Sequence, residues 1–121
     1  MLRKITFRPW GWWQSIFQGP GYLAKVINVK KGQQLSLQYH NHRSETWIIA
    51  SGQGEVFANG IWQKARTGKC IHIPVKGTHR IKADETDLVL IEVQFGDKIS
   101  EKDIVRIEDD YGRVKKECYL D

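Results

Sequence analysis

The sequence of 121 residues is poor in cysteine, methionine and proline, with 2, 1 and 3 residues of each. Two cysteines cannot supply the disulfide framework on which small secreted domains depend. Cys70 and Cys118 lie far apart, and we interpret them as reduced thiols without a role. The low proline content, with 40% hydrophobic and 27% charged residues, excludes a collagen-like or disordered chain. This length supports one hydrophobic core, so we predict a single domain over residues 1–121.

Long apolar segments are also missing. No stretch reaches the about 20 apolar residues that a membrane-spanning helix requires. The charged start Met1–Lys4 is followed by Arg8, Pro9 and tryptophans, not by the apolar core of a secretory signal. We therefore expect a cytoplasmic protein with no membrane partner.

Positive charge is in excess but is not concentrated. Lys plus Arg number 19 against 14 Asp plus Glu, which gives a formal net charge of +5. No basic cluster is longer than a pair, such as Lys30–Lys31 or Lys115–Lys116. Nucleic-acid binding usually needs a basic patch interleaved with aromatic side chains, so we predict no nucleic-acid partner. A small anionic ligand explains the charge better, because a focused positive field raises its local concentration.

Short β-type segments follow one another between Tyr22 and Phe95. The predicted strands are 22–29, 34–40, 45–50, 55–58, 61–65, 70–73, 79–82 and 87–95. Asn59–Gly60 between two of them is a strong signal for a hairpin. The regular spacing predicts an all-β antiparallel sandwich or barrel. One short helical turn is predicted outside it, because Ser100–Asp103 resembles a capped helix start before the apolar residues of 104–107.

A row of polar side chains on one predicted strand indicates a metal site. Period-2 alternation places Ser36, Gln38 and His40 on the same strand face. Glu45 follows after a tight turn, and His79 lies on a later strand. Imidazole nitrogen with amide and carboxylate oxygen suits a divalent ion such as Zn²⁺, with Mn²⁺, Fe²⁺, Co²⁺ or Ni²⁺ as alternatives. The spacing alone leaves open a structural alternative, in which the histidines end strands and the glutamate lies at the surface.

Two groups of residues resemble the motifs of the cupin superfamily. The first group is Gly32, His40, His42, Glu45 and Gly52, and the second is Gly68, Pro74, Gly77 and His79. Longer segments are similar to the C-terminal domain of type II phosphomannose isomerases, a domain that usually follows a mannose-1-phosphate guanylyltransferase domain. These segments are RPWG (8–11), LSLQYHNHRSETW (35–47), IP (73–74), HR (79–80), IEVQ (91–94) and DIVRIEDDYGR (103–113). The resemblance covers residues 8–113, and its last segment is the most specific.

The resemblance implies a double-stranded β-helix, a jelly-roll barrel with a metal ion in its mouth, and interconversion of mannose 6-phosphate and fructose 6-phosphate. The choice of ligands depends on the register. If His40 and His42 both bind, only two residues separate the second ligand from Glu45, fewer than is usual in cupins. If Gln38 and His40 bind, the usual gap is restored. We therefore predict Gln38, His40, Glu45 and His79 as ligands of Zn²⁺, with His42 as a substitute ligand.

The implied reaction moves a proton between C2 and C1 of the sugar through an enediol, which needs a general base. Glu92 is our candidate for this catalytic base. Leu88, Leu90, Glu92 and Gln94 share one strand face, and an acid on that face would look into the barrel. The alternative is an acid that faces solvent.

Four basic residues are candidates for binding the substrate phosphate. Arg80, directly after His79, is predicted to take part in catalysis and to bind phosphate. Arg43 on the turn is the second candidate, because guanidinium binds phosphate through two hydrogen bonds. Lys25 and Lys76 are further candidates.

Two segments have more than one interpretation. Trp10, Trp12 and Trp13 form an aromatic cluster that would stack on a sugar ring, although such clusters more often belong to a core or a dimer interface. The segment 106–113 either lines the site or has a structural role, in which it packs against the barrel or against a neighbouring subunit. We favour structural support for both segments.

The sequence departs from the family pattern in three respects. The nucleotidyltransferase part is absent, so we expect no GDP-mannose synthesis. Thr46 stands where the family commonly has histidine, and Gly77 comes one place later than in the commonest form of the second motif.

Our leading hypothesis is a metal-dependent mannose-6-phosphate isomerase that works alone as a cytoplasmic homodimer, with a small phosphorylated sugar as its partner. The second hypothesis is a non-catalytic cupin that binds a sugar or nucleotide sugar, as an accessory module in polysaccharide synthesis. The third is another cupin chemistry, such as a different isomerase or a dioxygenase, because a fold alone does not fix the function.

Overall fold

Two antiparallel β-sheets make up the domain. The computed structural model describes residues 4–114, which form eleven strands and no helix. The strands are β1 (Ile5–Arg8), β2 (Gly11–Gly19), β3 (Tyr22–Val29), β4 (Leu37–Tyr39), β5 (Ser44–Ser51), β6 (Gly54–Ala58), β7 (Ile61–Ala65), β8 (Cys70–Ile73), β9 (His79–Ala83), β10 (Leu88–Phe95) and β11 (Val105–Glu108). Sheet A has the order β1-β2-β3-β10-β5-β8, and sheet B has the order β11-β4-β9-β6-β7. No helix within residues 4–114 has the length and apolar character needed to cross a membrane.

The core lies between the facing surfaces of the two sheets. Strands alternate between buried and exposed residues, as β5 and β10 show along most of their length. The buried apolar side chains come from both sheets and from their connections: Trp10, Ile27, Val29, Leu35, Trp47, Ile49, Val56, Ala58, Ala65, Ile71, Ile73, Ile81, Ala83, Leu88 and Leu90. Burial of these side chains stabilises the barrel. They fill its interior except where polar residues take the place of apolar ones.

The middle of the chain folds as its pattern predicts. The bounds of β3, β7 and β8 are those of the predicted strands. Ala58 pairs with Ile61, so Asn59 and Gly60 form a two-residue hairpin turn. Their φ angles are 54° and 82°, and positive values at both positions are what a type I′ turn requires. Cys70 is an exposed free thiol, and Cys118 lies outside the described residues.

The N-terminal hairpin is a feature that the sequence analysis missed. β1 pairs with β2, and β2 pairs with β3 along its length, so these two strands extend sheet A. Trp10, 6% exposed, belongs to the core, and Trp13 packs against it. This supports the interpretation of the tryptophan cluster as core.

The predicted helical turn is wrong. Ser100–Asp103 forms a single turn, in which the amide N–H of Asp103 donates to the carbonyl of Ser100 at 3.1 Å. The chain then continues into β11, which pairs with β4 at the edge of sheet B. Ile104, Val105 and Ile107 are β-branched, and such residues favour extended backbone over helix.

Replacement of Gly52 by alanine is expected to destabilise the fold more than the same change at Gly60. Both glycines have similar left-handed φ angles, 86° and 82°. A Cβ at Gly52 would lie 2.1 Å from the carbonyl oxygen of Asp87, whereas a Cβ at Gly60 meets no atom within 4 Å. We expect Gly60→Ala to cost about 1 kcal/mol from backbone strain and Gly52→Ala at least about 2 kcal/mol more from the forced backbone shift. Urea unfolding of the two variants measures this difference, and equal losses would contradict it.

Candidate metal centre

Three buried side chains bring their ligand atoms together inside the barrel. Glu45 comes from β5 in sheet A, whereas His79 begins β9 and His40 follows β4 in sheet B. Glu45 Oε2 lies 3.3 Å from His40 Nε2, and Glu45 Oε1 lies 3.6 Å from His79 Nε2. All three donor atoms lie within 4.8 Å of one another. Two imidazole nitrogens and a carboxylate oxygen at this spacing can hold a divalent ion.

Hydrogen bonds to the backbone turn both imidazole rings so that Nε2 faces Glu45. His40 Nδ1 lies 2.6 Å from the carbonyl oxygen of Asp103, and His79 Nδ1 lies 2.8 Å from that of Gly77. A carbonyl only accepts, so each Nδ1 carries the proton and each Nε2 keeps its lone pair. Burial, with smaller contributions from nearby charges, lowers the pKa of each histidine to about 4. Both are therefore neutral at pH 7, the form that binds metals.

Gln38 completes the cluster as a fourth candidate ligand. It lies directly opposite His79 in the pairing of β4 with β9, and its side chain is buried. Gln38 Oε1 and His79 Nε2 are both buried without a hydrogen-bond partner among residues 4–114. Such atoms cost free energy unless a partner satisfies them, and a divalent ion would satisfy both. The residues present therefore fit a metal ion.

His42 is not brought into this cluster. It is exposed on the turn after β4, and its backbone N–H donates to a carboxylate oxygen of Asp103 at 2.9 Å. The structure therefore favours the register with Gln38 and His40 over the register with His42.

Arg43 lies against the candidate ligands. Its Nε donates to Glu45 Oε2 at 2.8 Å, its Nη1 donates to the Ser100 carbonyl at 3.0 Å, and its Nη2 lies 3.3 Å from His40 Nε2. An N–H that donates to Nε2 occupies the lone pair that a metal would use. Metal binding through His40 therefore requires the Arg43 guanidinium to turn away from that atom.

A second buried carboxyl, Glu92, lies beside this cluster. The indole Nε1 of Trp47 is 3.2 Å from Glu45 Oε1 and 3.0 Å from Glu92 Oε2, so it donates to both carboxyl groups. Gln94 Nε2 donates to Glu92 Oε1 at 2.6 Å. Burial, reinforced by the negative charge of Glu45, raises the pKa of Glu92 to about 7. Glu92 faces the barrel interior and is able both to accept and to donate a proton near neutral pH.

Gln38, His40, Arg43, Glu45, Trp47 and Glu92 line one pocket, whose empty volume of about 540 Å³ includes the solvent-filled opening. Its cationic side chains are Arg8, Lys25, Arg43, Arg106 and Arg113, and Trp10, Trp13 and Glu101 also contribute to its wall. Lys25 is buried, forms an ion pair with Glu101, and lies 3.8 Å from the centre of a Trp13 ring. The sequence analysis did not identify Arg8, Arg113 or Glu101 as site residues. The only available signal was that the first and last segments of the family resemblance contain both arginines.

Two predicted phosphate ligands, Arg80 and Lys76, lie outside the pocket, which corrects our expectation for them. Arg80 follows His79 on β9, so its side chain points to the opposite face of sheet B. There its Nε donates to the carbonyl of Leu35 at 3.1 Å, and its Nη1 lies 3.8 Å from a carboxylate oxygen of Glu108. Lys76 is exposed on a turn with a φ of 65°.

The architecture is that of a cupin, a double-stranded β-helix barrel with histidine and glutamate side chains facing its mouth. A solved cupin-2 domain from Rhodospirillum rubrum superposes with a TM-score of 0.65 at 20% identity, over 76% of this chain and 67% of that one. The capsular polysaccharide assembling protein CapF from Staphylococcus aureus superposes with a TM-score of 0.79 at 19% identity, over 89% of this chain and 32% of that one. At these identities the structures show the fold alone.

The chain belongs to the family described as mannose-6-phosphate isomerase, C-terminal, whose model matches residues 1–109. The mannose-1-phosphate guanylyltransferase ManC of Salmonella typhimurium is 40% identical over 114 residues, 93% of this chain and 24% of that protein. The xanthan biosynthesis protein XanB of Xanthomonas campestris is 46% identical over 113 residues, again 93% of this chain and 24% of that protein. The chain therefore spans about a quarter of the length of these relatives.

Loss of one cluster residue is expected to abolish tight metal binding. Because even residues that only orient ligands contribute about 10- to 100-fold to affinity, we expect His79→Ala to weaken Zn²⁺ binding by at least about 100-fold. His42→Ala is the matched control and should bind as the unaltered protein does. Equilibrium dialysis of chelator-treated protein against Zn²⁺, with metal analysis, measures both. A loss in His42→Ala instead would favour the other ligand register.

The raised pKa of Glu92 is expected to make the metal-free protein less stable as the pH rises from about 4.5 to about 7. In that range the folded state keeps a proton on Glu92 that the unfolded state has released, so the free energy of unfolding falls with pH. His40 and His79 act in the opposite direction between about pH 4 and 6.5. Comparison with Glu92→Gln isolates the glutamate, and the stability of this variant relative to the unaltered protein should rise across the range. Urea unfolding at a series of pH values would show a constant difference if the Glu92 pKa were ordinary.

Proposed function

We propose that this domain is a metal-dependent sugar-phosphate isomerase that interconverts mannose 6-phosphate and fructose 6-phosphate in the supply of polysaccharide precursors. One observation supports the proposal above all: His40 and Glu45 line the same pocket as Glu92, a carboxyl group whose pKa is about 7, and His79 completes their buried cluster. Membership of the family supports a sugar phosphate as the substrate. The names of relatives in xanthan and alginate biosynthesis support the role in polysaccharide synthesis.

Glu92 has the properties of the base that the isomerisation needs. An acid–base group works best when its pKa lies near the working pH, because both of its forms are then populated. In its ionised form Glu92 takes the proton from C2 while O1 gains a proton from solvent, which gives the enediol. In its protonated form it returns the proton to C1 while the C2 hydroxyl releases its proton to solvent. The N–H groups of Trp47 and Gln94 fix the direction of the Glu92 carboxyl group.

Gln38, His40, Glu45 and His79 would hold the divalent ion, with Zn²⁺ as the first choice and Mn²⁺, Fe²⁺, Co²⁺ or Ni²⁺ as alternatives. When bound, such an ion supplies polarisation of the substrate oxygens and so favours the enediol. Trp10 and Trp13 cover the apolar side of the pocket, where they exclude water from the reacting carbon atoms.

Replacement of Glu92 is expected to remove turnover without removing the metal. General acid–base groups contribute about 10²- to 10⁴-fold to rate, so we expect Glu92→Gln to lower kcat by at least about 100-fold. His79→Ala should lose both metal and turnover. His72→Ala, a change in an exposed histidine of β8, is the control and should retain both. A coupled assay with mannose 6-phosphate, on protein of measured metal content, tests these expectations.

The same assay separates the competing hypotheses. Sugar-phosphate binding with no turnover under any of the five metals would refute the isomerase and support a non-catalytic sugar-binding module. Fe²⁺-dependent oxygen uptake would support a dioxygenase instead.

A further inference from the structure

We propose that Arg106, with Arg8 and Arg113 beside it, forms the subsite for the phosphate group of the substrate. The identity of the substrate rests on the function proposed above, whereas the binding of a phosphate monoester at this place does not. The subsite differs from the Arg80 site expected from the sequence. It also gives the terminal segment 106–113 a role in binding rather than in structural support alone.

The strand register places Arg106 in line with the metal ligands. Arg106 on β11 pairs with Gln38 on β4, and Gln38 pairs with His79 on β9. Cross-strand partners point to the same face of a sheet, and neighbouring strands lie about 4.8 Å apart, so the Cα atoms of Arg106 and His79 are about 10 Å apart. A hexose 6-phosphate carries its carbonyl group and its phosphate at opposite ends of the carbon chain. With the carbonyl end at the ligand cluster, the phosphate can extend along this row to Arg106.

Arg106 takes part in none of the ion pairs found among residues 4–114. Its Nε is buried and has no hydrogen-bond partner among residues 4–114. Burial and then the positive charge of Arg113 lower its pKa, Arg8 adds to this effect, and the negative charges of Asp109 and Glu101 oppose it without reversing it. A partly desolvated guanidinium beside two other cations is unfavourable unless an anion neutralises it. A phosphate group supplies the negative charge and several acceptor oxygens at once.

The nearby carboxylates are already engaged. Asp109 accepts three hydrogen bonds from Arg113, from its backbone N–H at 2.7 Å, from Nε at 2.8 Å and from Nη2 at 2.9 Å. Glu101 pairs with the buried Lys25. The fork with Asp109 fixes the plane of the Arg113 guanidinium, which lies 5.5 Å from the centre of the Tyr111 ring. Lys25 and Arg113 are therefore already paired with carboxylates. The Arg106 guanidinium remains able to bind the phosphate of a ligand.

Calorimetric titration of the metal-free protein tests the subsite, with inorganic phosphate, mannose 6-phosphate and mannose as the three probes. We expect both phosphate compounds to bind and to compete with each other, and mannose to bind far more weakly. Arg106→Gln should weaken binding of both phosphate compounds by about tenfold or more, because hydrogen bonds between charged groups are lost. Arg106→Lys keeps the charge but loses the fork and should give a smaller loss. Arg66→Gln, at an exposed position directly after β7 and outside the pocket lining, is the matched control.

The results distinguish a phosphate subsite at Arg106 from one at Arg80. Binding unchanged in Arg106→Gln, or lost in Arg80→Gln instead, would overturn the proposal, as would the absence of phosphate binding in the unaltered protein. Circular dichroism shows whether each variant is folded. His79→Ala should still bind inorganic phosphate although it loses turnover. A protein that binds phosphate through Arg106 but never isomerises the sugar would refute the proposed reaction and leave the subsite standing.

Discussion

The buried carboxylate of Glu45 lies where the two sheets of the site meet, and the rest of the site is arranged around it. It is 1% exposed, and a charge at that depth must be neutralised and hydrogen-bonded. Arg43 and Trp47, from the chain around β5, donate hydrogen bonds to it, and Arg43 also carries the opposite charge. The Nε2 atoms of His40 and His79, from the side of sheet B, face the same carboxylate at 3.3 and 3.6 Å. Arg43 supplies the compensating charge that a divalent ion would otherwise provide. The indole of Trp47 that donates to Glu45 also donates to Glu92, so one side chain links the two buried carboxyl groups.

Alternation along strands accounts for what could be predicted from the sequence. It identified β3, β7 and β8, and it placed Glu92 on an inward face with Leu88 and Leu90. The same rule excludes Arg80 from the pocket, because a residue next to an inward His79 must point outward. We expected Arg80 in the site because it follows the candidate ligand His79 directly in sequence. On a strand, however, adjacent residues point to opposite faces of the sheet.

The remaining part of the site depends on contacts between distant segments. From Trp10 and Trp13 we predicted an aromatic cluster but not the hairpin of β1 and β2. The hairpin was missed because apolar and polar residues do not alternate clearly in this segment. Ser100–Asp103 has the residues of a helix cap, but β4 offers an unpaired edge and β11 takes it. Asp103 orients His40 through its carbonyl and holds the following turn through its carboxylate. No local pattern specifies such pairings.

The pocket wall joins β1 to the segment after β11, since Arg8 and Arg113 both contribute to it although about a hundred residues separate them. Contacts between residues so far apart in sequence form only at the entropic cost of closing the long loop between them. Proteins with many such contacts therefore fold slowly. The complete pocket therefore exists only in the fully folded barrel. A ligand that contacts both Arg8 and Arg113 binds only this folded state and therefore stabilises it. Its binding free energy then opposes the detachment of either edge strand, β1 of sheet A or β11 of sheet B.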